Sequence, residues 1–301
     1  MELQQLKTFV TIARVGNFTK AAELLDYAQS SVSAQIKALE TDLQTRLFER
    51  LGREVCLTED GLRLLDYAEQ LLKLAEETRE SVSGNIIPKG TLTIGAPETL
   101  CIYRLPAIFE EYRRRYPLVK LVLKLGSCQE ITEWLQKNLI DLAFFLGTPL
   151  QNSNCIIERL SEEPIVMIAG KAHPLIESNP IASSDLKNAD FLLMEEEGCC
   201  YRVLLEQQLS QSGVQLKSVQ ELGSVEMIKK CVISNLGISI LPRISVVKEL
   251  QDGLLYDLHW DCPEPNIFTQ MLHRKDKWLS PALSAMIQLT KIVFEQFHSP
   301  T

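Results

Sequence analysis

Six residues in one short stretch have the side-chain types that recognise DNA bases. They are small, hydroxyl-bearing or amide-bearing, apart from one lysine: Gln29, Ser30, Ser31, Ser33, Ala34 and Lys37. At about 100° per residue most of them share one helical face. A helix in the major groove needs such side chains for close approach and for hydrogen bonds to base edges. The pattern is therefore consistent with DNA recognition, although an ordinary helix pair in a protein core would show the same periodicity.

Two predicted helices joined by a turn hold this face. In the first, Thr19 is placed to cap a helix that ends near Leu25. The turn covers positions 26–29, and Ser30 is placed to cap a second helix that runs to about Leu43. The inward stripe of the second helix consists of Val32, Ile36, Leu39 and Leu43.

The same stretch resembles the N-terminal helix–turn–helix of LysR-type transcriptional regulators, whose signature reads F-T-x-A-A-x-x-L and then Q-S-x-V-S-x-Q-I-x-x-L-E. Phe18 to Leu25 and Gln29 to Glu40 match it, and the likeness continues through Leu47 to Arg50 and Leu57 to Gly61. The resemblance implies a regulator that binds double-stranded promoter DNA, contacts RNA polymerase and assembles as a homodimer and homotetramer. It implies no fixed cofactor, but a small-molecule co-inducer.

The residues from Leu47 to Thr58 predict a small β-hairpin around Gly52. Arg53 at its tip is placed to enter a minor groove and Arg50 to contact a phosphate, unless both are merely solvated. Residues 1–58 hold seven Lys and Arg against seven Asp and Glu, and the whole chain has a net charge of −8. DNA contact must therefore depend on local placement of basic residues rather than on a diffuse basic surface.

A long helix is predicted from Thr58, its cap, to about Ile86. Its apolar positions alternate by four and three, as in the seam of a short coiled coil: Leu64, Ala68, Leu71, Ala75, Thr78 and Val82. A small N-terminal domain cannot bury so long a seam. We therefore expect the helix to pair with a second copy of the chain.

Beyond a Pro- and Gly-containing linker, strands and helices alternate to the end of the chain. This order predicts mainly parallel sheets covered by helices, in two α/β lobes. The predicted fold class is α/β with an all-α, winged-helix N-terminal domain and a long linker helix. The expected domains are residues 1–58, 59–90 and 91–301. By resemblance to the periplasmic-binding-protein-like effector domain of the family, lobe I is 91–161 with 267–301, and lobe II is 162–266.

A ligand in such a fold binds at strand ends and helix N-termini. The family's effector contacts fall on loops whose facing residues are Thr99, Ser127, Thr148, Cys199, Cys200 and Ser224. Free N–H groups of helices that begin at Thr99, Ser127 and Ser224 would suit an anion. Leu146 stands where some aromatic-acid sensors of the family have a basic residue. Arg202 could supply that charge, or it could pair with a nearby acid.

The adjacent Cys199 and Cys200 raise an alternative function, a thiol-based redox-responsive regulator. A thiol at a helix N-terminus is expected to have a lowered pKa and higher reactivity. However, the peroxide-sensing members of the family have a second cysteine near the end of the following helix, and residues 203–213 contain none. Small polar liners of a pocket are therefore the favoured interpretation of these thiols.

Other classes fit the sequence less well. No apolar run reaches the ~18 residues of a membrane helix, and the eight cysteines lack zinc-site spacing, so we expect a cytoplasmic protein without a metal. A transport solute-binding protein would leave residues 1–86 without a role. An enzyme is not expected, because the sequence has no nucleophile elbow and no phosphate loop.

Overall fold

The structure, a computed structural model, describes residues 1–51, 54–82, 87–178, 180–194, 199–216, 218–260 and 266–298. Within these ranges no helix is long and apolar enough to cross a bilayer. The chain forms two compact units. The first is Met1–Ile86 with Lys137–Leu139, and the second is Ile87–Gln136 with Ile140–Thr301.

The N-terminal unit contains helices and one hairpin. Its elements are α1 (Leu3–Val15), α2 (Phe18–Leu25), α3 (Gln29–Leu43), β1 (Phe48–Leu51), β2 (Glu54–Leu57) and α4 (Glu59–Val82). The two strands pair antiparallel, with Phe48 opposite Leu57. They form the predicted hairpin, which is called the wing below.

A single apolar core holds α2, α3 and the wing together. Leu6 and Phe9 of α1 are buried with Val32, Ile36 and Leu39 of α3. The ring of Phe48 lies 5.3 Å from that of Phe9, which ties the first strand of the wing to the core. The inward stripe of α3 is therefore confirmed as far as Leu39, whereas Leu43 is 36% exposed at the end of the helix.

The caps predicted for α2 and α3 are each wrong by two residues. Asn17, not Thr19, caps α2, because its Oδ1 accepts the N–H of Lys20 at 3.0 Å. Helix α3 begins at Gln29 after Ala28, which makes no side-chain cap. Ser30 consequently lies inside the first turn, with its side chain exposed.

Helix α4 starts directly from the wing. The Thr58 hydroxyl accepts the N–H of Gly61 at 3.0 Å and donates to the Arg46 carbonyl at 2.6 Å, so the predicted cap is confirmed. A Cβ atom at Gly61 would lie 2.2 Å from the Leu47 carbonyl oxygen. Only glycine allows the first turn of α4 to approach the wing so closely.

The first lobe of the second unit is built on a five-stranded sheet of order β4-β3-β5-β12-β6. Its strands are β3 (Gly90–Ala96), β4 (Val119–Leu125), β5 (Leu142–Gly147), β6 (Cys155–Glu162) and β12 (Phe268–Arg274). Strand β3 pairs parallel with β4 and β5, and β12 pairs antiparallel with β5 and β6. The helices of this lobe are α5 (Glu98–Tyr103), α6 (Leu105–Arg115), α7 (Cys128–Gln136) and α11 (Pro281–His298).

The second lobe contains two smaller sheets. Antiparallel strands in the order β10-β7-β11 form one, and the parallel pair β8-β9 forms the other. The strands are β7 (Ile165–Gly170), β8 (Asp190–Met194), β9 (Ser218–Leu222), β10 (Ser239–Pro242) and β11 (Leu255–Asp257). The helices are α8 (Cys200–Gln211), α9 (Val225–Ile233) and α10 (Val247–Gln251).

The predicted fold class is confirmed in its α/β character, but the sheets are mixed rather than mainly parallel. Four of the strand pairs in this unit are antiparallel, and they involve β7 and β12. Both strands are buried, although β12 carries the polar residues Thr269, Gln270 and His273. A strand that is buried on both faces shows the same residue pattern whether it pairs parallel or antiparallel. Its sequence therefore does not reveal the direction of pairing.

The chain passes between the lobes at a buried carboxylate. Glu163 follows β6, is 1% exposed and accepts hydrogen bonds from Ser161 Oγ and Thr269 Oγ1, both at 2.8 Å. Arg104 of the first lobe donates to both of its oxygens, at 2.9 and 2.8 Å. Glu163 therefore ties both crossing segments to the end of α5. Most of the predicted return crossing, residues 262–265, lies outside the described part of the chain.

Candidate functional site

The exposed face of α3 carries the residues that the sequence predicts to read DNA. Exposed side chains are those of Gln29, Ser30, Ser31, Ala34 and Lys37, while Ser33 is half-buried. Gln29 Nε2 donates to Ser33 Oγ at 2.9 Å, so these two side chains lie along the helix surface. The face is low in relief and carries one positive charge, as close approach to a groove requires.

Neighbouring residues fix the orientation of this helix. Gln35 Oε1 accepts the hydroxyl of Thr8 at 2.5 Å, which links α3 to α1. Tyr27, in the turn before α3, is 41% exposed and is not among the DNA-contact residues predicted from the sequence.

The wing is positioned by Glu40, the last residue of the helix–turn–helix signature. Glu40 Oε1 accepts the N–H of Leu47 at 2.8 Å and that of Phe48 at 3.4 Å. A side chain of α3 thus sets the start of β1. Arg53 lies outside the described residues, as does the side chain of Arg50, so their DNA contacts stay predictions.

The exposed apolar stripe of α4 differs from the predicted seam. Ala68 is 0% exposed and Leu64 packs beside it, because both face the core of their own unit. Ala75 is half-buried, whereas Leu71 and Val82 are exposed as predicted. Tyr67 (66% exposed) and Leu74 (55%) lie on the same side as Leu71, about 100° from the core-facing side. The corrected stripe, called the α4 stripe below, consists of Tyr67, Leu71, Leu74, Thr78 and Val82.

A cavity of about 580 Å³ lies in the second unit. Four of the predicted ligand residues line it: Thr99, Ser127, Cys199 and Cys200. Strand ends and helix starts from both lobes supply further lining residues, namely Pro97, Glu98, Leu125, Gly126, Cys128, Glu130, Leu146, Tyr201 and Gly223. The volume lies in the range of small-molecule sites.

Two predicted ligand residues have other surroundings. Thr148 is exposed beyond β5, and its carbonyl accepts Gln270 Nε2 at 2.9 Å. The hydroxyl of Ser224 donates to Glu98 Oε1 at 2.7 Å. Arg202 forms ion pairs with Glu206 at 2.9 Å and Glu221 at 2.6 Å, so of the two alternatives for this residue the structure favours pairing with acids.

The prediction of free helix N-termini is wrong for α7 and α9. Glu98 Oε2 accepts the N–H of Val225, the first residue of α9, at 2.8 Å. Glu130 Oε2 accepts the N–H of Ser127 at 2.8 Å in a capping box before α7. Carboxylates of the chain itself therefore occupy the positions that the sequence suggested for an anion. The third helix whose N-terminus was predicted to be free is α5, which has only six residues.

Glu98, Glu130 and Cys128 line the cavity but are not among the ligand residues predicted from the sequence. Glu98 and Cys128 lie in strand-end loops that the sequence predicts, beside Thr99 and Ser127, but were not singled out as ligand contacts. Their roles depend on which loops face each other across the lobes, and that follows only from the tertiary structure.

One thiol of the cavity, that of Cys200, is not activated as expected. Burial raises the pKa of Cys200 well above its ordinary value, and the neighbouring Cys199 and Cys128 raise it further. The expected lowering at a helix N-terminus is therefore wrong for Cys200, because desolvation outweighs the helix end. The side chain of Tyr201 hydrogen-bonds with Thr99 and Cys199.

A second set of contacts joins the lobes at the other end of α5. Lys229 of α9 is 3% exposed and donates to Tyr103 Oη and Glu226 Oε1, both at 2.9 Å. It also pairs with Glu249 of α10 at 2.8 Å. Burial opposes the charge of Lys229, but the hydrogen bonds outweigh it and raise its pKa above the usual value. Tyr103 and Glu98 thus connect the two ends of α5 to α9.

A winged helix–turn–helix followed by a two-lobed α/β unit with a cavity defines a ligand-responsive DNA-binding regulator. Residues 3–62 match the model of the bacterial regulatory helix-turn-helix protein, lysR family, and residues 87–294 match the LysR substrate binding domain. The chain belongs to the LysR family of transcriptional regulators.

Individual relatives agree over nearly the whole length. The chain is 41% identical to the uncharacterized HTH-type transcriptional regulator YwqM of Bacillus subtilis, over 98% of this chain and 100% of YwqM. A full-length OxyR variant from Pseudomonas aeruginosa has a TM-score of 0.71 at 25% identity, over 98% and 95%. CbnR in complex with its target DNA has a TM-score of 0.70 at 21% identity, over 97% and 99%.

Proposed function

We propose that α3 reads promoter DNA in the major groove through Gln29, Ser30, Ser31, Ser33, Ala34 and Lys37. The observation that carries the proposal is the exposed, nearly uncharged face of α3 on a buried apolar stripe. Arg50 and Arg53 of the wing add contacts to the backbone or the minor groove. The protein acts in the cytoplasm, where its promoter DNA lies.

The α4 stripe pairs with the same stripe of a second copy. A homodimer presents two reading helices to two half-sites, which compensates for the few basic residues of each copy. Two dimers form a homotetramer, as the relationship to the family suggests.

A small-molecule effector binds in the cavity and changes the relative position of the lobes. That change alters the spacing of the DNA-reading units and the contact with RNA polymerase. A coupling of this kind is worth about 1–3 kcal/mol. The cavity supports this part of the proposal because residues of both lobes line it.

Lys37→Ala tests the assignment of α3. An operator is first selected by the wild-type protein from a pool of random-sequence duplexes. The variant should bind that operator about 1–3 kcal/mol more weakly if Lys37 contacts a base, or with a salt slope smaller by about 1 per protomer if it contacts a phosphate. The affinities are measured by fluorescence anisotropy across a salt series.

Lys7→Ala is the matched control, since Lys7 is also exposed but lies on α1. It should leave both affinity and salt slope unchanged. Equal binding by Lys37→Ala and wild type, at every salt concentration, would place this face of α3 outside the groove.

A redox-responsive regulator is the second candidate, favoured by the three thiols in one cavity, Cys128, Cys199 and Cys200. A sensor thiol must ionise near neutral pH. The raised pKa of Cys200 predicts the opposite: its alkylation should still accelerate about tenfold per pH unit beyond the ~8.5 of an ordinary thiol. Mass spectrometry of the Cys200 peptide measures this rate, and a plateau below pH 8 would favour the redox function.

A further inference from the structure

The titratable residues that line the cavity are acids and weak acids. Glu98 and Glu130 supply carboxylates, and thiols and one phenol supply the rest. Among the described lining residues none is Lys or Arg.

Two buried basic side chains of the neighbouring elements are paired with acids. Arg202 pairs with two glutamates, and Lys229 pairs with Glu226 and Glu249. The ammonium group of Lys124 lies 5.1 Å from the ring centre of Trp134. An anionic ligand would therefore meet two carboxylates and no Lys or Arg among the described lining residues.

Each of the two carboxylates keeps acceptor capacity toward a ligand. The carboxylate of Glu98 accepts two hydrogen bonds, from Ser224 Oγ and the Val225 N–H, and that of Glu130 accepts one from Ser127. An ionised carboxylate has about four lone-pair sites. The negative field of Glu98 also contributes, after burial, to raising the pKa of Cys101 to about 11.

We infer that the effector of this regulator carries a positive charge, an amine or guanidinium group, and that Glu98 and Glu130 select it. The inference rests on the proposed effector role of the cavity and names the ligand class. Because Glu98 also binds the start of α9 in the other lobe, a cation that takes up its free lone pairs acts directly on the contact between the lobes. Glu98 would thus be both a specificity residue and the link to the lobe arrangement.

Charged thiol reagents measure the potential of the cavity without knowledge of the effector. A methanethiosulfonate transfers its thioalkyl group to a cysteine, forming a mixed disulfide and releasing methanesulfinate. Rates at Cys128 are compared for a trimethylammonium-ethyl and a sulfonato-ethyl reagent, each divided by its rate with 2-mercaptoethanol. The ratio for one thiol is independent of that thiol's ionised fraction, so it reports the local charge.

In the full-length protein the cationic reagent should react at Cys128 at least about tenfold faster than the anionic one on this scale. Glu98→Gln and Glu130→Gln should each lower the ratio about threefold or more. Glu110→Gln, at an exposed glutamate of α6, should leave the ratio at Cys128 unchanged. The ratio at Cys56, in the wing, should be the same in all of these variants as in the wild type.

A ratio at or below one for Cys128, or a ratio that neither cavity variant changes, would overturn the inference. Failure of the proposed function gives a different result. If the small neutral reagent methyl methanethiosulfonate modifies Cys56 but not Cys128, the cavity does not admit ligands, and the inference falls together with the effector site.

Discussion

Glu163 combines a buried charge with a position at the crossing between the lobes. All of its described partners are hydrogen-bond donors, and Arg104 supplies the opposite charge with a side chain 17% exposed. A buried ion pair adds little net stability in itself, but the loss of one partner leaves the other charge uncompensated. Loss of Glu163 should therefore destabilise the crossing by more than the loss of its own hydrogen bonds, because the charge of Arg104 would remain uncompensated.

Glu163→Ala should destabilise the second unit by about 3–5 kcal/mol, because it strands the Arg104 guanidinium and two hydroxyl donors. Differential scanning calorimetry measures the effect on the transition of this unit. Glu163→Gln should cost less, since the amide oxygen keeps an acceptor. Glu110→Ala serves as the control for an exposed glutamate. A loss below 1 kcal/mol for Glu163→Ala would show that water enters and solvates Arg104.

At this scale the sequence indicated single residues better than their partners. It predicted the exposed face of α3 and four cavity residues correctly in position. It could not show that Glu98 reaches Val225, 127 positions away, because that contact depends on the arrangement of the lobes. For this reason the sequence predicted a free N–H group at the start of α9, where the structure has a bonded one.

Among the elements, α4 has two apolar faces with different partners. Near its start Leu64 and Ala68 join the core of their own unit, while the α4 stripe remains exposed. Over a few turns, residues of either face fit a four-and-three spacing. The sequence pattern therefore predicted one seam that contains residues of both faces. One other element was not predicted from the sequence: in strand β6 the apolar pattern is interrupted by Glu158 and Arg159.

Leu71→Asp should dissociate the dimer proposed for α4, since it places a charge in the centre of the stripe without touching the core. Leu62→Asp is the matched control. Leu62 lies on the same helix and is 58% exposed, but it faces about 180° away from Leu71. Light scattering across a concentration series should give a lower mass for Leu71→Asp alone. Equal masses for both variants and wild type would exclude this stripe as the interface.

At the scale of the whole molecule, polar contacts at α5 and at Glu163 link the lobes in the described part of the chain. Glu98 and Tyr103, at the two ends of α5, both bind α9, and Glu163 fixes the crossing segment. The order of strands and helices correctly predicted an α/β unit. It did not predict the antiparallel pairing of β7 and β12, because the residue pattern of a buried strand does not show in which direction it pairs. The contacts between the lobes are likewise a product of the tertiary structure.

Tyr103→Phe should loosen the lobes without unfolding either one, because it removes only the hydroxyl shared by Lys229 and Glu226. Hydrogen bonds to charged groups contribute about 1.5–3 kcal/mol each. If the lobes separate locally, amide exchange in α5 and α9 should accelerate roughly tenfold or more, while exchange in β3 and β12 stays constant. Tyr116→Phe, whose ring packs on Tyr112 within the first lobe, is the control. Unchanged exchange in α9 would mean that Glu98 and Glu163 suffice to hold the lobes together.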